Sequence, residues 1–234
     1  MCWGFNNYGQ LGDNSTTLRN TPIAVSGLGP VKSISAGQNH TCAVLDNNSA
    51  MCWGYNLKGQ LGDNSNSQRD TPNAVSGLGL VKSISAGSNH TCAVLDNNSA
   101  MCWGNNGSGR LGDSTSIQKI TPVAVNGLGA VKSISAGIDH TCAVLDNNSA
   151  VCWGGNAKGQ LGDNTSTQRT TPVAVNGIGT VKTVTSGSQF TCGLMSDQTA
   201  RCWGKNLKGQ LGNGNTLDNA TPGNVINLTN IRLP

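Results

Sequence analysis

Apolar residues along this chain come in short runs broken by glycine and asparagine, and nowhere do they recur at helical spacing. The clearest stretch lies between Val31 and Val75. Val31 to Gly37 (VKSISAG) predicts a strand of small residues, and His40 to Leu45 (HTCAVL) a second. Asp46, Asn47 and Asn48 carry turn chemistry, since Asn and Asp tolerate the left-handed conformation. Ser49 to Gly54 (SAMCWG) predicts a third strand. A loop from Tyr55 to Asp70, punctuated by Gly59 and Gly62, separates it from a fourth, Thr71 to Val75 (TPNAV). Pro72 cannot donate to a central ladder, so the fourth strand belongs at a sheet edge.

The same pattern returns along the chain. Cys-Trp-Gly begins at Cys2, Cys52, Cys102, Cys152 and Cys202, a period of 50 residues. A period of that size marks a solenoid or a propeller. Four short antiparallel strands per period make a propeller blade, and the Ser/Ala/Gly-rich first strand suits a crowded position near an axis. The expected fold is therefore all-β, a β-propeller of four-stranded antiparallel blades in a single repeat domain over 1–234. Its repeats run 2–51, 52–101, 102–151, 152–201 and a partial 202–234. About 4.7 repeats predict an incomplete ring, with sheet edges open to other chains. The expected causes are a longer natural protein, completion by further copies, or imperfect closure.

Composition narrows the functional classes. Of 234 residues 32 are Gly, every one of the 11 acidic residues is Asp, and charged residues make up 11%, which disfavours surface helices. No apolar run approaches a membrane span. The net charge of +4 is spread by the repeat. Lys32, Lys82, Lys132, Lys182 and Arg232 hold one equivalent position, and Arg19, Arg69, Lys119 and Arg169 another. Such rings read as scaffold positions, and no nucleic-acid partner is expected.

Gly37-Gln38-Asn39-His40-Thr41, Cys52-Trp53-Gly54, Asn56 and Gly59-Gln60-Leu61-Gly62 resemble the repeat of the regulator of chromosome condensation family, in register over essentially the whole chain. The resemblance implies one sheet per repeat in a seven-bladed propeller, with the His before Thr as a scaffold residue whose ring bonds the backbone. It also brings three activities into view. Guanine-nucleotide exchange on a small GTPase uses an inserted wedge that breaks the repeat spacing; here every Cys-Trp-Gly interval is 50. Ultraviolet sensing in a plant receptor uses a Gly-Trp-Arg-His-Thr motif; the matching segments here, GQNHT, GSNHT, GIDHT and GSQFT, lack its Trp and Arg. A secreted bacterial inhibitor of β-lactamases fits the cysteines better.

Those cysteines fall at two repeat positions. If Asp46 to Asn48 form a three-residue loop, Leu45 faces Ser49 and Cys42 faces Cys52. A two-residue loop would instead bring Trp53 opposite Cys42. The first register predicts disulfides Cys42–Cys52, Cys92–Cys102, Cys142–Cys152 and Cys192–Cys202, with Cys2 unpaired. Disulfides place the chain outside the cell or on its surface; the alternative is buried thiols in a reducing cytoplasm. Zinc would need two further ligands per pair, and the CxxC spacing is missing. Asn39-His40-Thr41, Asn47-Asn48-Ser49 and Asn164-Thr165-Ser166 fit the N-glycosylation pattern.

Other candidate chemistry dissolves into the repeat. His40, His90 and His140 are equivalent, but Phe190 takes the fourth place, which argues against a metal site. Trp3, Trp53, Trp103, Trp153 and Trp203 read as packing between blades. Asp13, Asp63, Asp113 and Asp163 read as loop anchors rather than calcium ligands. No phosphate loop, dinucleotide fingerprint or nucleophile elbow is present, and no cofactor, metal or catalysis is expected.

The residues that differ between repeats carry the remaining signal. One column is Phe5, Tyr55, Asn105, Gly155, Lys205; a paired column runs Asn7-Tyr8, Leu57-Lys58, Gly107-Ser108, Ala157-Lys158, Leu207-Lys208. A third runs Gln38-Asn39, Ser88-Asn89, Ile138-Asp139, Ser188-Gln189. These fall in loops, where a rigid frame displays recognition residues. The expectation is a non-enzymatic scaffold binding a protein partner through Phe5, Tyr8, Tyr55, Leu57, Lys58, Ile138 and Asp139. A self-assembling extracellular repeat protein and an exchange factor are the alternatives.

Overall fold

The computed structural model describes residues 1–228. Arg232 and the rest of 229–234, which include the start of the last predicted strand, lie outside the described residues. No helix occurs among the described residues, which form one two-stranded and four four-stranded sheets. The two-stranded sheet is β1 (Cys2–Gly4) with β2 (Arg19–Ile23). The next pairs β3 (Val31–Ala36), β4 (His40–Leu45), β5 (Ala50–Gly54) and β6 (Arg69–Ala74) in chain order. The pattern repeats as β7 (Val81–Ala86), β8 (His90–Leu95), β9 (Ala100–Gly104) and β10 (Lys119–Ala124). It returns as β11 (Val131–Ala136), β12 (His140–Leu145), β13 (Ala150–Gly154) and β14 (Arg169–Ala174), and finally as β15 (Val181–Ser186), β16 (Phe190–Met195), β17 (Ala200–Gly204) and β18 (Asn219–Asn224). These antiparallel meanders are propeller blades.

The chain divides into two compact units. One comprises Met1–Gly107 with Ile117–Ala124, the other Ser108–Ser116 with Val125–Pro234. The first holds β1 to β10 and the second β11 to β18. The fourth strand starts two residues earlier than the sequence pattern places it, because Arg69 pairs with Gly54 across a bulge that absorbs Asp70 to Pro72. Pro72 does lie on the outer edge strand.

The hairpin register is the one a three-residue loop dictates. Val44 pairs with Ala50, Cys42 with Cys52 and His40 with Gly54, and Asn48 adopts φ +63°. Directly opposed cysteines, with Cα atoms 4.1 Å apart, form disulfides Cys42–Cys52, Cys92–Cys102, Cys142–Cys152 and Cys192–Cys202. Each closes a short loop and stabilises the fold by about 2–3 kcal/mol. Cys2 is the free thiol, half-buried, and burial raises its pKa.

Packing between blades within each unit turns on one backbone carbonyl. The Gln60 carbonyl accepts from Trp103 Nε1 at 2.9 Å and from Thr91 Oγ1 at 2.8 Å. Because the Thr91 hydroxyl spends its proton there, it accepts from His40 Nε2 at 2.9 Å, which assigns the neutral ring tautomer. The second unit repeats the arrangement with Gln160, Trp203, Thr191 and His140. The histidine thus bonds a neighbouring blade's hydroxyl, not the backbone as the family resemblance implied. The Thr91 oxygen, its proton already given to Gln60, keeps a lone pair for the ring.

Trp53, Trp103, Trp153 and Trp203 are fully buried. Each indole lies against a glycine of the preceding blade's loop: a Cβ on Gly62 would stand 2.7 Å from Trp103 Nε1. Gly62, at φ +69°, therefore serves both the turn and the close approach. Around these rings the disulfides and valines form the cores, for example Cys142, Val144, Cys152, Leu161, Val181 and Trp203. The small first strands pack on one another in pairs, and Ser35 Oγ accepts from the Ala86 amide at 3.0 Å.

Trp103→Ala should cost about 3–5 kcal/mol, since it empties a buried cavity and strips the Gln60 carbonyl of a donor. Denaturant unfolding monitored by far-ultraviolet dichroism measures it. A second expectation concerns pH. Complete burial lowers the His40 pKa from 6.5 to about 4, so the unfolded chain binds a proton that the folded chain refuses. Stability should therefore fall as pH drops from 6.5 towards 4. His40→Phe, which copies the residue that Phe190 supplies at the equivalent seat, should flatten part of that slope in unfolding curves collected across the window.

Candidate functional site

The loop between the third and fourth strands of each blade joins frame to surface. In the first full blade, Asn56 is buried and ties the loop together. Its Oδ1 accepts from the Leu61 amide at 2.9 Å, while its Nδ2 donates to Asp63 Oδ1 at 3.0 Å and to the carbonyls of Ser65 and Ser67. Asp63 also receives Arg69 Nε at 2.8 Å. Burial raises the Asp63 pKa, but hydrogen bonds from Ser65, Arg69 and Asn56, with the Arg69 charge, outweigh it and hold the carboxyl below its ordinary value. Asp13 and Asp163 pair with Arg19 and Arg169 in the same way. These aspartates are loop anchors. Their arginines, which belong to one of the two basic rings, are spent on these carboxylates at the partly exposed margin of the loop. Lys32, Lys82 and Lys132 of the other ring donate to Asn48, Asn98 and Asn148 at 3.0 Å.

The same loops present the variable residues. Gln60 uses its carbonyl for Trp103 and Thr91, and its side-chain oxygen accepts from the Lys58 amide at 2.9 Å. The backbone at 57–58 is therefore held by the residue that seals the next blade. Leu57 and Lys58 themselves point to solvent, Leu57 with 61% exposure. Tyr8 is held equivalently by Gln10 at 3.0 Å, and the Tyr55 amide donates to the Asn39 carbonyl at 2.8 Å.

In the first unit the structure brings Phe5, Tyr8 and Tyr55 into one cluster. Phe5 and Tyr8 meet edge-on with centroids 6.1 Å apart, and Tyr8 and Tyr55 at 4.8 Å. Phe5 is 49% exposed. A run of three aromatics on backbone-tethered loops offers large contact area at low entropic cost. In the third column Gln38, Ile138 and Ser188 are exposed, whereas Ser88 is buried and donates to Gln38.

In the second unit Ile138 and Asp139 sit over a charged cluster that the sequence pattern did not single out. Arg110 stands where the other repeats have Gln, and its Nη1 donates to the Ile138 carbonyl at 2.9 Å and Nη2 to Ser108 Oγ at 3.1 Å. Asp139 accepts from Gln160 Nε2 at 3.2 Å, and His140 Nδ1 lies 3.7 Å from it, beyond hydrogen-bond distance. Burial raises the Asp139 pKa; the His140 ring, Gln160 and the Arg110 charge outweigh it and leave the pKa lowered. Gly155 makes the room: a Cβ there would meet Asp139 Oδ2 at 2.5 Å. The available signal was two departures that belong together, Arg in a Gln column and Asp in an Asn/Gln column. Ile138 remains exposed beside them at 44%.

No group of three or more His, Cys, Asp or Glu residues that could hold a metal occurs among the described residues. No helix there is long and apolar enough to cross a membrane. The histidines spend Nε2 on threonine hydroxyls, as described for His40 and His140.

Comparison with known proteins places the fold. The RCC1-like domain family matches residues 1–232. No curated protein matches the chain significantly. Among solved structures, Prp20p from Saccharomyces cerevisiae superposes with a TM-score of 0.80 at 22% identity, over 96% of this chain and 56% of that one. Human WBSCR16 gives 0.79 at 21% identity, over 94% of this chain and 60% of that one. Yeast RCC1 (Prp20) bound to Kap60 gives 0.79 at 22%, over 92% and 53%. The chain thus spans just over half the length of these structures.

Asp63→Asn should remove the Arg69 ion pair and leave the Asn56 amide facing an amide, a loss of about 1–2 kcal/mol. Because the Asp63 pKa is lowered from 3.8, its contribution is present above that pH and lost below it. The variant should therefore differ from the parent in thermal unfolding at neutral pH and converge with it under strong acid.

Proposed function

Because the chain belongs to the RCC1-like domain family, we propose that it is a non-enzymatic propeller scaffold that binds a protein partner through the variable loops of its blades. The observation that carries this reading is the tethering of displayed side chains to the frame. Gln10 and Gln60 fix the loops that carry Tyr8 and Lys58, while the side chains of Phe5, Tyr8, Tyr55, Leu57 and Lys58 vary between repeats and face outward. Ile138 and Asp139 form the corresponding patch of the second unit. Binding surfaces of this kind concentrate their energy in a few aromatic anchors. Prp20, alike in fold, is described as binding Gsp1p, histones and Kap60, which is consistent with protein recognition by such blades.

The four disulfides favour an oxidising address, outside the cell or on its surface. Guanine-nucleotide exchange finds less support, because no wedge interrupts the 50-residue spacing. Self-association into an extracellular layer is the structural alternative.

The test is affinity capture from the extracellular fraction of the native host. Tyr8→Ala/Tyr55→Ala should weaken retention of a specific partner by tenfold or more, about 1.4 kcal/mol or above. Lys82→Ala, far along the sheet from these loops, should leave it unchanged. Equal retention by both variants removes the loop assignment. Peptide mapping of the natural polypeptide without reductant should find Cys42–Cys52, Cys92–Cys102, Cys142–Cys152 and Cys192–Cys202 linked, and small-GTPase nucleotide release should not accelerate.

A further inference from the structure

The tip of the hairpin between the second and third strands of each blade carries a motif that partner binding does not use. Asn47-Asn48-Ser49, Asn97-Asn98-Ser99 and Asn147-Asn148-Ser149 are three copies of Asn-Xaa-Ser on exposed turns. In each the asparagine Oδ1 accepts twice from the serine two residues on. For Asn47 the donors are the Ser49 amide at 3.0 Å and Ser49 Oγ at 2.7 Å. Asn97 and Asn147 show the same distances. The Nδ2 of each is left for chemistry.

We propose that Asn47, Asn97 and Asn147 are acceptor sites for N-linked glycans, built at the exposed tip of three successive blades. The proposal rests on the exported reading above, which supplies the compartment where such transfer occurs. The donor is a polyprenyl-diphosphate-linked oligosaccharide. Nδ2 attacks the anomeric carbon and the N–C1 bond forms as the C1–O bond to diphosphate breaks. The polyprenyl diphosphate leaves with the electron pair, and a base of the transferase takes one Nδ2 proton. As that proton leaves, charge moves onto Oδ1, where the serine hydroxyl and amide already donate.

The other Asn-Xaa-Ser/Thr sequences differ: Asn106, two before Ser108, is buried with its Nδ2 donating to the Ile117 carbonyl, and the sequence at Asn227 runs outside the described residues. Asn39 and Asn89 precede Thr41 and Thr91, whose buried hydroxyls are committed to the carbonyls of Gln10 and Gln60. Asn14 and Asn164 take φ near +60° and make no such bond to the hydroxyl two residues on among the described residues. Asn219 does bond Thr221, but at 3.2–3.3 Å and half-buried within β18. The fourth hairpin is a natural control. Asp197-Gln198-Thr199 keeps the turn, with Thr199 donating from its amide at 3.0 Å and its Oγ1 at 2.6 Å, but a carboxylate cannot accept the glycan.

The experiment secretes the full chain from eukaryotic cells and reads intact mass and peptides before and after peptide-N-glycosidase. Glycan is expected on Asn47, Asn97 and Asn147, one site lost with each Asn→Gln or with Ser49→Ala, Ser99→Ala or Ser149→Ala. Asp197→Asn should gain a fourth. Bare tips on material with four intact disulfides, or glycan on Asn39 and Asn89 instead, overturns the proposal. The natural polypeptide separates this failure from that of the exported reading. Free thiols there at Cys42, Cys52 and their equivalents overturn both, while disulfides at those positions with unmodified tips overturn the glycan assignment alone.

Discussion

One backbone carbonyl per blade, that of Gln60 or its equivalents, governs how these sheets are held together. It accepts an indole N–H and a threonine hydroxyl from the following blade, and the hydroxyl in turn accepts from the preceding blade's imidazole. Four polar groups that would each be costly to bury alone are satisfied at one point. The tryptophan then packs without penalty against glycine. This explains why Trp, Thr and His recur together in the repeat, and why Phe190 replaces the last of them: the imidazole is a donor at the end of the chain of bonds, whereas removing the threonine would strand the imidazole N–H and take one of the carbonyl's two donors.

The constraint reaches the surface through the same glutamine. A residue whose carbonyl closes a blade interface and whose side chain pins the loop backbone makes the displayed positions rigid by construction. Rigid display lowers the entropy lost on binding. The frame is thus stringent at Asn56 and at the backbone carbonyl of Gln60, which Arg110 also supplies, and permissive at Tyr55, Leu57 and Lys58, although these residues share one loop. Disulfides across each hairpin add a covalent hold two residues from the strand end where these loops begin.

Where the repeat deviates, it does so in concert. Arg110 enters a glutamine column, Asp139 an asparagine column, and Gly155 clears the space that the carboxylate occupies. Read singly along the chain, each is surface drift. In space they compensate one another in charge and volume, and the result is a local electrostatic patch that no other repeat carries. Asp139 and Ile138 were legible as variable positions, whereas Arg110 was not, because its significance lies in a partner 29 residues away in sequence.

The sequence by itself determined the strands, the blade, the hairpin register and the disulfide pairing. All of these are local: alternation, turn residues and a three-residue loop act within ten or so positions, and the Cys-Trp-Gly period then copies them. What the tertiary structure decided is non-local. It chose a threonine hydroxyl rather than a backbone carbonyl as the histidine's acceptor. It buried Ser88 while leaving Ile138 exposed in one column. It also separated asparagines whose neighbouring hydroxyl is spent on the frame from those at the hairpin tips. Identical tripeptide patterns cannot reveal that difference, because where a hydroxyl sends its proton depends on what the neighbouring blade brings within 3 Å of it.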